Sequence, residues 1–226
     1  LATYRELMKN LSIKTSPEGG ALALILDNWI DSMWMEAAKS ISGGVSGLNL
    51  EKMVTDSILT TIMDMQVMVH GYDFSNMLII YWKAYKAGDI ETKAKALRWL
   101  RGEYQLKRDA KEDLGINNII NDGDWFDYIK IWSEFFKKIN YNGFLIMIDE
   151  MINIYRYRNS ATRYNNYETM LMMYNDALQG KAKSLGIIMG GTPKALEDPV
   201  KGVFSYEALK SRLSAGRFTG HESVNL

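Results

Sequence analysis

The stretch GFLIMIDEM, residues 143 to 151, decides the fold, because an apolar run ends there in two adjacent carboxylates. The run from Phe144 to Ile148 predicts a short strand covered on both faces, as in a parallel sheet between helices. Asp149 and Glu150 follow where such a strand leaves the sheet. Ligands of open α/β sheets bind at the carboxyl ends of the strands, so both side chains are placed for chemistry.

A second apolar run follows the first at a spacing that fits a crossover connection. SLGIIMGGTP, residues 184 to 193, predicts another short strand, which ends in two glycines and Thr192. Between the two runs, helical spacing of apolar residues predicts a helix from about Ala161 to Gln179. Strand, helix and strand in this order predict a right-handed parallel crossover unit. A further short helix is predicted over residues 205–213.

Residues 1–139 predict a helical region with almost no strand signal. Apolar residues recur at helical spacing from Leu22 to Ala37 and again from Leu50 to Val69. The glycine-rich SGGVSG, residues 42–47, predicts a break between these helices, and His70 with Gly71 predicts the end of the second. The residues predicted to cap these and later helices are Ser16, Asn49, Asp73, Asp89 and Asp124.

Composition limits the classes of function. The 226 residues are 47% hydrophobic, which is enough for a buried core. The 27 basic and 27 acidic side chains cancel, so no overall charge attracts nucleic acid or an anionic membrane. The absence of cysteine excludes disulfides and thiolate metal sites. No secretory signal and no apolar run of roughly 18 residues occurs, so we expect a cytoplasmic protein without a membrane partner.

An apolar strand ending in Asp-Glu is typical of nucleoside triphosphatases. In these enzymes one carboxylate holds Mg²⁺ through water, a role that suits Asp149, and a second orients or deprotonates the attacking water, which suits Glu150. Thr192, at the end of the next strand, suits a sensor of the γ-phosphate. Apolar strands also end in acidic residues merely because these are well solvated, and that interpretation stays open. The phosphate-binding pattern G-x-x-x-x-G-K-[ST] does not occur in the chain.

Residues 140–213 resemble the second half of the P-loop ATPase core in bacterial ATP-binding proteins of BREX-type phage defence, a family catalogued as a domain of unknown function. The most specific pieces are the strand ending in Asp149 and Glu150, GGTP at 190–193, and FSYEALKSRL at 204–213. Residues 3–22 resemble the segment after the second core strand of the same proteins.

The resemblance implies an α/β fold that is predominantly helical. The implied fold is a partial P-loop NTPase core of the AAA-like class, with a small parallel sheet and a helical layer. Residues 1–139 would form the helical region that follows the Walker A part. Residues 140–226 would hold the Walker B and sensor strands with a C-terminal helix.

The resemblance also implies the ligands, the partners and the reaction. ATP and Mg²⁺ are the expected ligands, with Asp149 at the metal and Glu150 and Thr192 as catalytic residues. In the family the Walker A loop precedes the point where this sequence starts, so we expect ATPase activity in a longer protein and none in this chain alone. The resemblance implies DNA or other proteins of the defence system as partners, and the sheet edge left exposed without the central strand predicts pairing with a second copy of the chain.

Several arginines follow the second carboxylate, and one of them is expected to stabilise the transferred charge in an assembled ATPase. We select Arg212, because it lies in the helix after the sensor strand, although spacing does not single it out. The other candidates are Arg156, Arg158, Arg163 and Arg217.

Two alternatives remain open at the level of sequence. Residues 81–111 hold nine basic and four acidic side chains interleaved with aromatic ones, a pattern that fits either nucleic-acid binding or a solvated helix face with buried rings. Helical spacing favours the second interpretation. For the whole chain, the alternative to an ATPase is a helical protein-interaction module with a degenerate, non-catalytic ATPase-like core.

Overall fold

The computed structural model describes residues 1–40 and 47–214. The predicted break at SGGVSG, except for its last glycine, and the candidate Arg217 therefore lie outside the described residues. The chain divides into two compact units, Leu1–Asn142 and Gly143–Leu226, each described by itself below. No helix within the described ranges is long and apolar enough to cross a membrane.

Among the described residues of the first unit, the regular elements are helices joined by turns and loops, and Ile13 and Ser16 form an isolated bridge. Within it, α4 packs against α5, and α2 packs against α3. The helices are α1 (Ala2–Lys9), α2 (Leu22–Ser40), α3 (Gly47–Met63), α4 (Gly71–Ala87), α5 (Ile90–Leu100), α6 (Lys107–Leu114) and α7 (Trp125–Lys138).

Aromatic rings on α7 form the centre of the first unit's core. Trp132 meets Phe74 of α4 edge to face, with ring centroids 4.7 Å apart, and stacks on Phe136 at 5.2 Å. Trp29 of α2 meets Phe135 edge to face at 5.1 Å. Such pairs add stability beyond the area they bury. The predicted inward register of α7 is confirmed at Trp132 and Phe136, which are both buried.

A buried tyrosine joins α1 to the rest of this core. The Tyr4 hydroxyl donates a hydrogen bond to the Leu100 carbonyl at 2.7 Å and accepts one from the Trp132 indole nitrogen at 3.0 Å. Burial raises the pKa of Tyr4 above its usual value, so the phenol stays neutral. Both partners depend on this hydroxyl for a buried polar contact.

The predicted helix caps are only partly confirmed. Asp89 caps α5 by accepting a hydrogen bond from the Thr92 amide at 3.0 Å. Asp124 immediately precedes α7 as predicted, but its carboxylate accepts from the Asn121 amide rather than from the helix. Asn49 and Asp73 were wrongly predicted as caps, since both lie inside their helices.

The predicted start of α2 and end of α3 are also wrong. The helix α2 begins at Leu22, because Ser16 pairs with Ile13 and two glycines with positive φ follow in the intervening turn. The helix α3 ends at Met63, well before His70. His70 instead adopts φ 60° just before α4, and Gly71 opens that helix where a Cβ would lie only 1.8 Å from the Met65 carbonyl oxygen.

The basic, aromatic segment 81–111 supports the solvated-face interpretation. Its buried rings are Tyr81, Trp82, Trp99 and Tyr104. Lysines of the segment form ion pairs with neighbouring carboxylates, as Lys93 does with Asp27 at 2.7 Å. The rings therefore stabilise the core, and part of the positive charge is already compensated.

The second unit contains a two-stranded parallel sheet with short helices around it. The strands pair from Phe144 with Leu185 to Ile148 with Met189, which confirms the predicted parallel arrangement. The predicted helix between the strands is confirmed as α9. The elements are β1 (Phe144–Ile148), α8 (Ile152–Arg156), α9 (Ser160–Leu178), β2 (Leu185–Met189), α10 (Pro193–Glu197), a 3-10 helix (Val203–Ser205) and α11 (Glu207–Ser214).

Only one face of this sheet is buried. Side chains alternate along a strand, and Phe144 and Ile146 are buried whereas Leu145 is 59% and Met147 is 69% exposed. The prediction that β1 is covered on both faces is therefore wrong. The apolar core of the unit lies among its helices and is formed by Met151, Tyr167, Met170, Val203 and Leu209.

We expect Tyr4→Phe to destabilise the first unit by about 1–3 kcal/mol, because it leaves the Leu100 carbonyl and the Trp132 indole N–H buried without this partner. Denaturant unfolding followed by tryptophan fluorescence measures the change. Tyr72→Phe is the matched control, since Tyr72 is 65% exposed. Equal stability of the two variants would contradict the assigned role of the Tyr4 hydroxyl.

Candidate functional site

The carboxyl ends of β1 and β2 lie side by side and continue to pair beyond the sheet. The Gly190 amide donates to the Ile148 carbonyl at 2.8 Å, and the Met151 amide donates to the Gly190 carbonyl at 3.1 Å. These two bonds hold the segment that contains Asp149 and Glu150 against the segment that leads to Thr192. The structure thus places Asp149 beside Gly190, two residues before Thr192.

Asp149 projects from the end of β1 at an exposed position. Its Oδ1 accepts a hydrogen bond from the Glu150 amide at 2.7 Å. A Cβ on Gly190 would lie 2.8 Å from the same oxygen, and one on Gly191 would lie 2.9 Å from the Met151 Cβ. At the end of β2 the two chain segments therefore approach closely, and a side chain at position 191 would press on the Met151 Cβ.

Glu150 adopts a left-handed backbone conformation with φ 57°, which is unfavourable for a residue with a side chain. Three hydrogen bonds hold it there. Its amide donates to Asp149, its carbonyl accepts from the Asn153 amide at 2.9 Å, and its Oε2 accepts from the Asn153 side chain at 3.0 Å. Strained residues of this kind persist where the surrounding contacts fix them, and they are concentrated at functional sites.

Thr192 lies two residues beyond Gly190 and is exposed. It caps α10, with its hydroxyl oxygen accepting a hydrogen bond from the Ala195 amide at 3.3 Å, and Pro193 occupies the first helical position. The cap fixes the orientation of the hydroxyl group beside the strand ends. The hydroxyl proton stays available for an acceptor such as a phosphate oxygen.

Arg212 lies on α11, where its guanidinium contributes to the packing of the unit. Its Nε donates to Asn175 Oδ1 of α9 at 2.9 Å, and one terminal nitrogen donates to the Ala208 carbonyl at 3.0 Å. The contact with Asn175 joins α11 to α9. The other arginine of structural note, Arg163, is buried and donates to the Tyr157 carbonyl at 2.8 Å.

The donor set at the strand ends fits a magnesium ion that also binds phosphate. Mg²⁺ in such sites is held by one or two carboxylates together with substrate phosphates and water. Asp149 and Glu150 supply carboxylates, and both residues are exposed at the end of β1. Among the described residues no group of three or more histidine or acidic side chains could hold a metal by itself.

Two polar contacts near the site were not predicted from the sequence. One is the Asn153 tether on Glu150. The other joins α8 to the turn after α10, where Asp198 accepts hydrogen bonds from the Tyr155 hydroxyl at 3.1 Å and from the Val200 and Lys201 amides at 2.9 Å. The backbone hydrogen bonds, first of all from Lys201, lower the pKa of Asp198. The Asp198-Pro199 dipeptide is a sequence signal for a turn at these residues. It does not predict the contact between Asp198 and Tyr155.

Comparison with known proteins identifies the family. The family model described as BREX system ATP-binding protein BrxC/D matches residues 1–226. The chain therefore belongs to this family, and membership indicates an ATP-binding role in phage defence. No curated protein and no solved structure shows a significant match to the chain.

We expect Asp198→Asn to lower the unfolding temperature at pH 7, because the carboxylate accepts three hydrogen bonds in the folded state. Its pKa is lower in the folded than in the unfolded chain, so the stabilisation is complete above the ordinary Asp pKa of about 3.9 and is lost as the pH falls through the folded value. The difference from the wild type should therefore shrink below about pH 4. Glu168→Gln, which removes a charge from an exposed position of α9, is the control. A difference independent of pH would refute the assignment.

We expect Glu150→Gly to be more stable than Glu150→Ala by about 1 kcal/mol, because glycine adopts positive φ without strain. Both variants lose the carboxylate, so their difference isolates the backbone. Denaturant unfolding of the two variants measures it. An alanine variant as stable as the glycine variant would show that Glu150 is not held in the left-handed conformation.

Proposed function

We propose that this chain contributes the metal-binding and water-activating residues of a P-loop ATPase that hydrolyses Mg-ATP in phage defence. The observation that supports the proposal is the placement of Asp149 and Glu150 at the end of β1, directly beside the Gly190–Thr192 end of β2. Family membership supports the ATP-binding part of it independently.

Each residue at the strand ends has a distinct role in this proposal. Asp149, exposed at the end of β1, would hold Mg²⁺ through a coordinated water. Glu150 would orient or deprotonate the attacking water, while the Thr192 hydroxyl would donate a hydrogen bond to the γ-phosphate. Positioning and charge stabilisation supply most of the catalysis in phosphoryl transfer, so groups held this rigidly suit the reaction.

Arg212 is retained in the proposal as the residue that stabilises the transferred charge in a neighbouring subunit. In the chain described here two of its donors are used by Asn175 and Ala208. Its action on a phosphate therefore requires that these hydrogen bonds exchange when subunits assemble. An arginine provides the planar, permanently charged group that this role needs.

The proposal requires a phosphate-binding loop from outside these 226 residues, because the sequence has no G-x-x-x-x-G-K-[ST] pattern. Such a loop supplies the backbone amides and the lysine that bind the phosphates. The chain alone then lacks most of the affinity for ATP, and we expect it to show no turnover.

A second candidate function, a helical interaction module, is favoured by exposed apolar side chains at one turn of the first unit. The turn joins α3 to α4, and Val67 in it is 90% exposed. The neighbouring exposed side chains are Met63, Val69 and Tyr72. Exposed apolar groups close together in a chain are typical of protein contact surfaces. This candidate requires no nucleotide.

We expect the complete protein that contains this chain to bind ATP more tightly in the presence of Mg²⁺, and Asp149→Ala to weaken that binding roughly 10- to 100-fold, as loss of an outer-sphere metal partner does. Isothermal titration calorimetry with and without EDTA measures the change. Glu168→Gln is the matched control, because it removes an exposed carboxylate from the middle of α9 in the same unit. Binding that is unaffected by Asp149→Ala would refute the metal assignment, and absence of nucleotide binding would favour the interaction module.

A further inference from the structure

We infer that Asn153 is a positioning residue for the Glu150 carboxylate, an inference that rests on the ATPase function proposed above. Asn153 is the second residue of α8 and follows Glu150 by three positions. Its side-chain amide donates to Glu150 Oε2 at 3.0 Å, and its backbone amide donates to the Glu150 carbonyl at 2.9 Å. Asn153 thus donates hydrogen bonds to both the backbone carbonyl and the side-chain carboxylate of Glu150.

The backbone conformation of Glu150 explains why a second anchor is needed. With φ 57° the direction of its Cα–Cβ bond is set by the left-handed turn between β1 and α8. The side chain beyond Cβ still rotates about three bonds, and an exposed glutamate gains conformational entropy by doing so. The Asn153 amide removes that freedom at the carboxylate, where the proposed chemistry takes place.

The tether leaves one carboxylate oxygen for chemistry. An ionised carboxylate only accepts hydrogen bonds and has two oxygens with which to do so. Oε2 is engaged by Asn153, and the described contacts give Oε1 no donor. A water that donates to Oε1 would therefore be oriented by a group whose position is fixed from the opposite side.

A purely structural role for Asn153 is the competing explanation, because side chains three residues apart at a helix start often stabilise the turn. The two explanations differ in whether the effect of Asn153 on turnover depends on the residue at position 150. If Asn153 only stabilises the turn, its replacement affects turnover to the same extent whichever acidic side chain occupies position 150. A positioning contact changes turnover, and only while a glutamate at position 150 can reach the amide.

The test is steady-state ATP hydrolysis by the complete protein that contains this chain. We expect Asn153→Ala to lower kcat about two- to tenfold, the effect of one exposed hydrogen bond, with KM for ATP unchanged. Asn153→Asp should lower kcat further, since it replaces the donor by a second negative charge beside Glu150. In a Glu150→Asp background, where the shorter side chain no longer reaches the amide, Asn153→Ala should have no additional effect.

Asn166→Ala provides the matched control, because the Asn166 amide is also exposed but donates to the Thr162 carbonyl of its own helix at 2.7 Å. It should leave kcat and KM unchanged. Turnover that Glu150→Gln abolishes but Asn153→Ala leaves unaltered would overturn this inference alone. An equal loss from Asn153→Ala in the Glu150→Asp background would overturn it too, since the contact would then be structural. Turnover that is absent, or indifferent to Glu150→Gln, would overturn the proposed function and this inference with it.

Discussion

The in-register parallel pairing of β1 with β2 is the constraint on which the candidate site depends. Two strands that run in the same direction end at the same edge, so residues 41 positions apart in the chain become neighbours. The bonds from Gly190 to Ile148 and from Met151 to Gly190 extend this pairing past the last ladder residues. A change of register by one residue would move Asp149 away from Gly190 and reverse which side chains face the core.

Beyond the sheet, local strain and local hydrogen bonds fix the site. Glu150 occupies a backbone conformation that most residues avoid, and Asp149 and Asn153 compensate by bonding its amide, its carbonyl and its carboxylate. The adjacent strand end is bare of side chains at Gly190, where any Cβ would displace the Asp149 carboxylate. These contacts hold the two strand ends together while both acidic side chains stay exposed.

The first unit is stabilised mainly by packing of aromatic side chains rather than by a sheet. Its core is a set of edge-to-face and stacked aromatic rings around Trp132, with α1 attached through the Tyr4 hydroxyl. Its basic segment forms ion pairs at its own surface, so charge alone gives little support for a nucleic-acid contact. The exposed apolar turn between α3 and α4 is the feature of this unit that suits a protein partner.

The sequence by itself determined both strands, the helix between them, the register of α7 and the placement of Asp149 and Glu150 after β1, because these follow from local periodicity and from runs of apolar residues. It did not determine where α2 begins or α3 ends, since turn hydrogen bonds and the close approach of Gly71 to Met65 decide those boundaries. Nor did it determine that one sheet face is exposed, or that Asn153 and Gly190 adjoin the two carboxylates. Those contacts require that distant segments or a strained turn be brought together, and only the tertiary structure decides which side chains then meet.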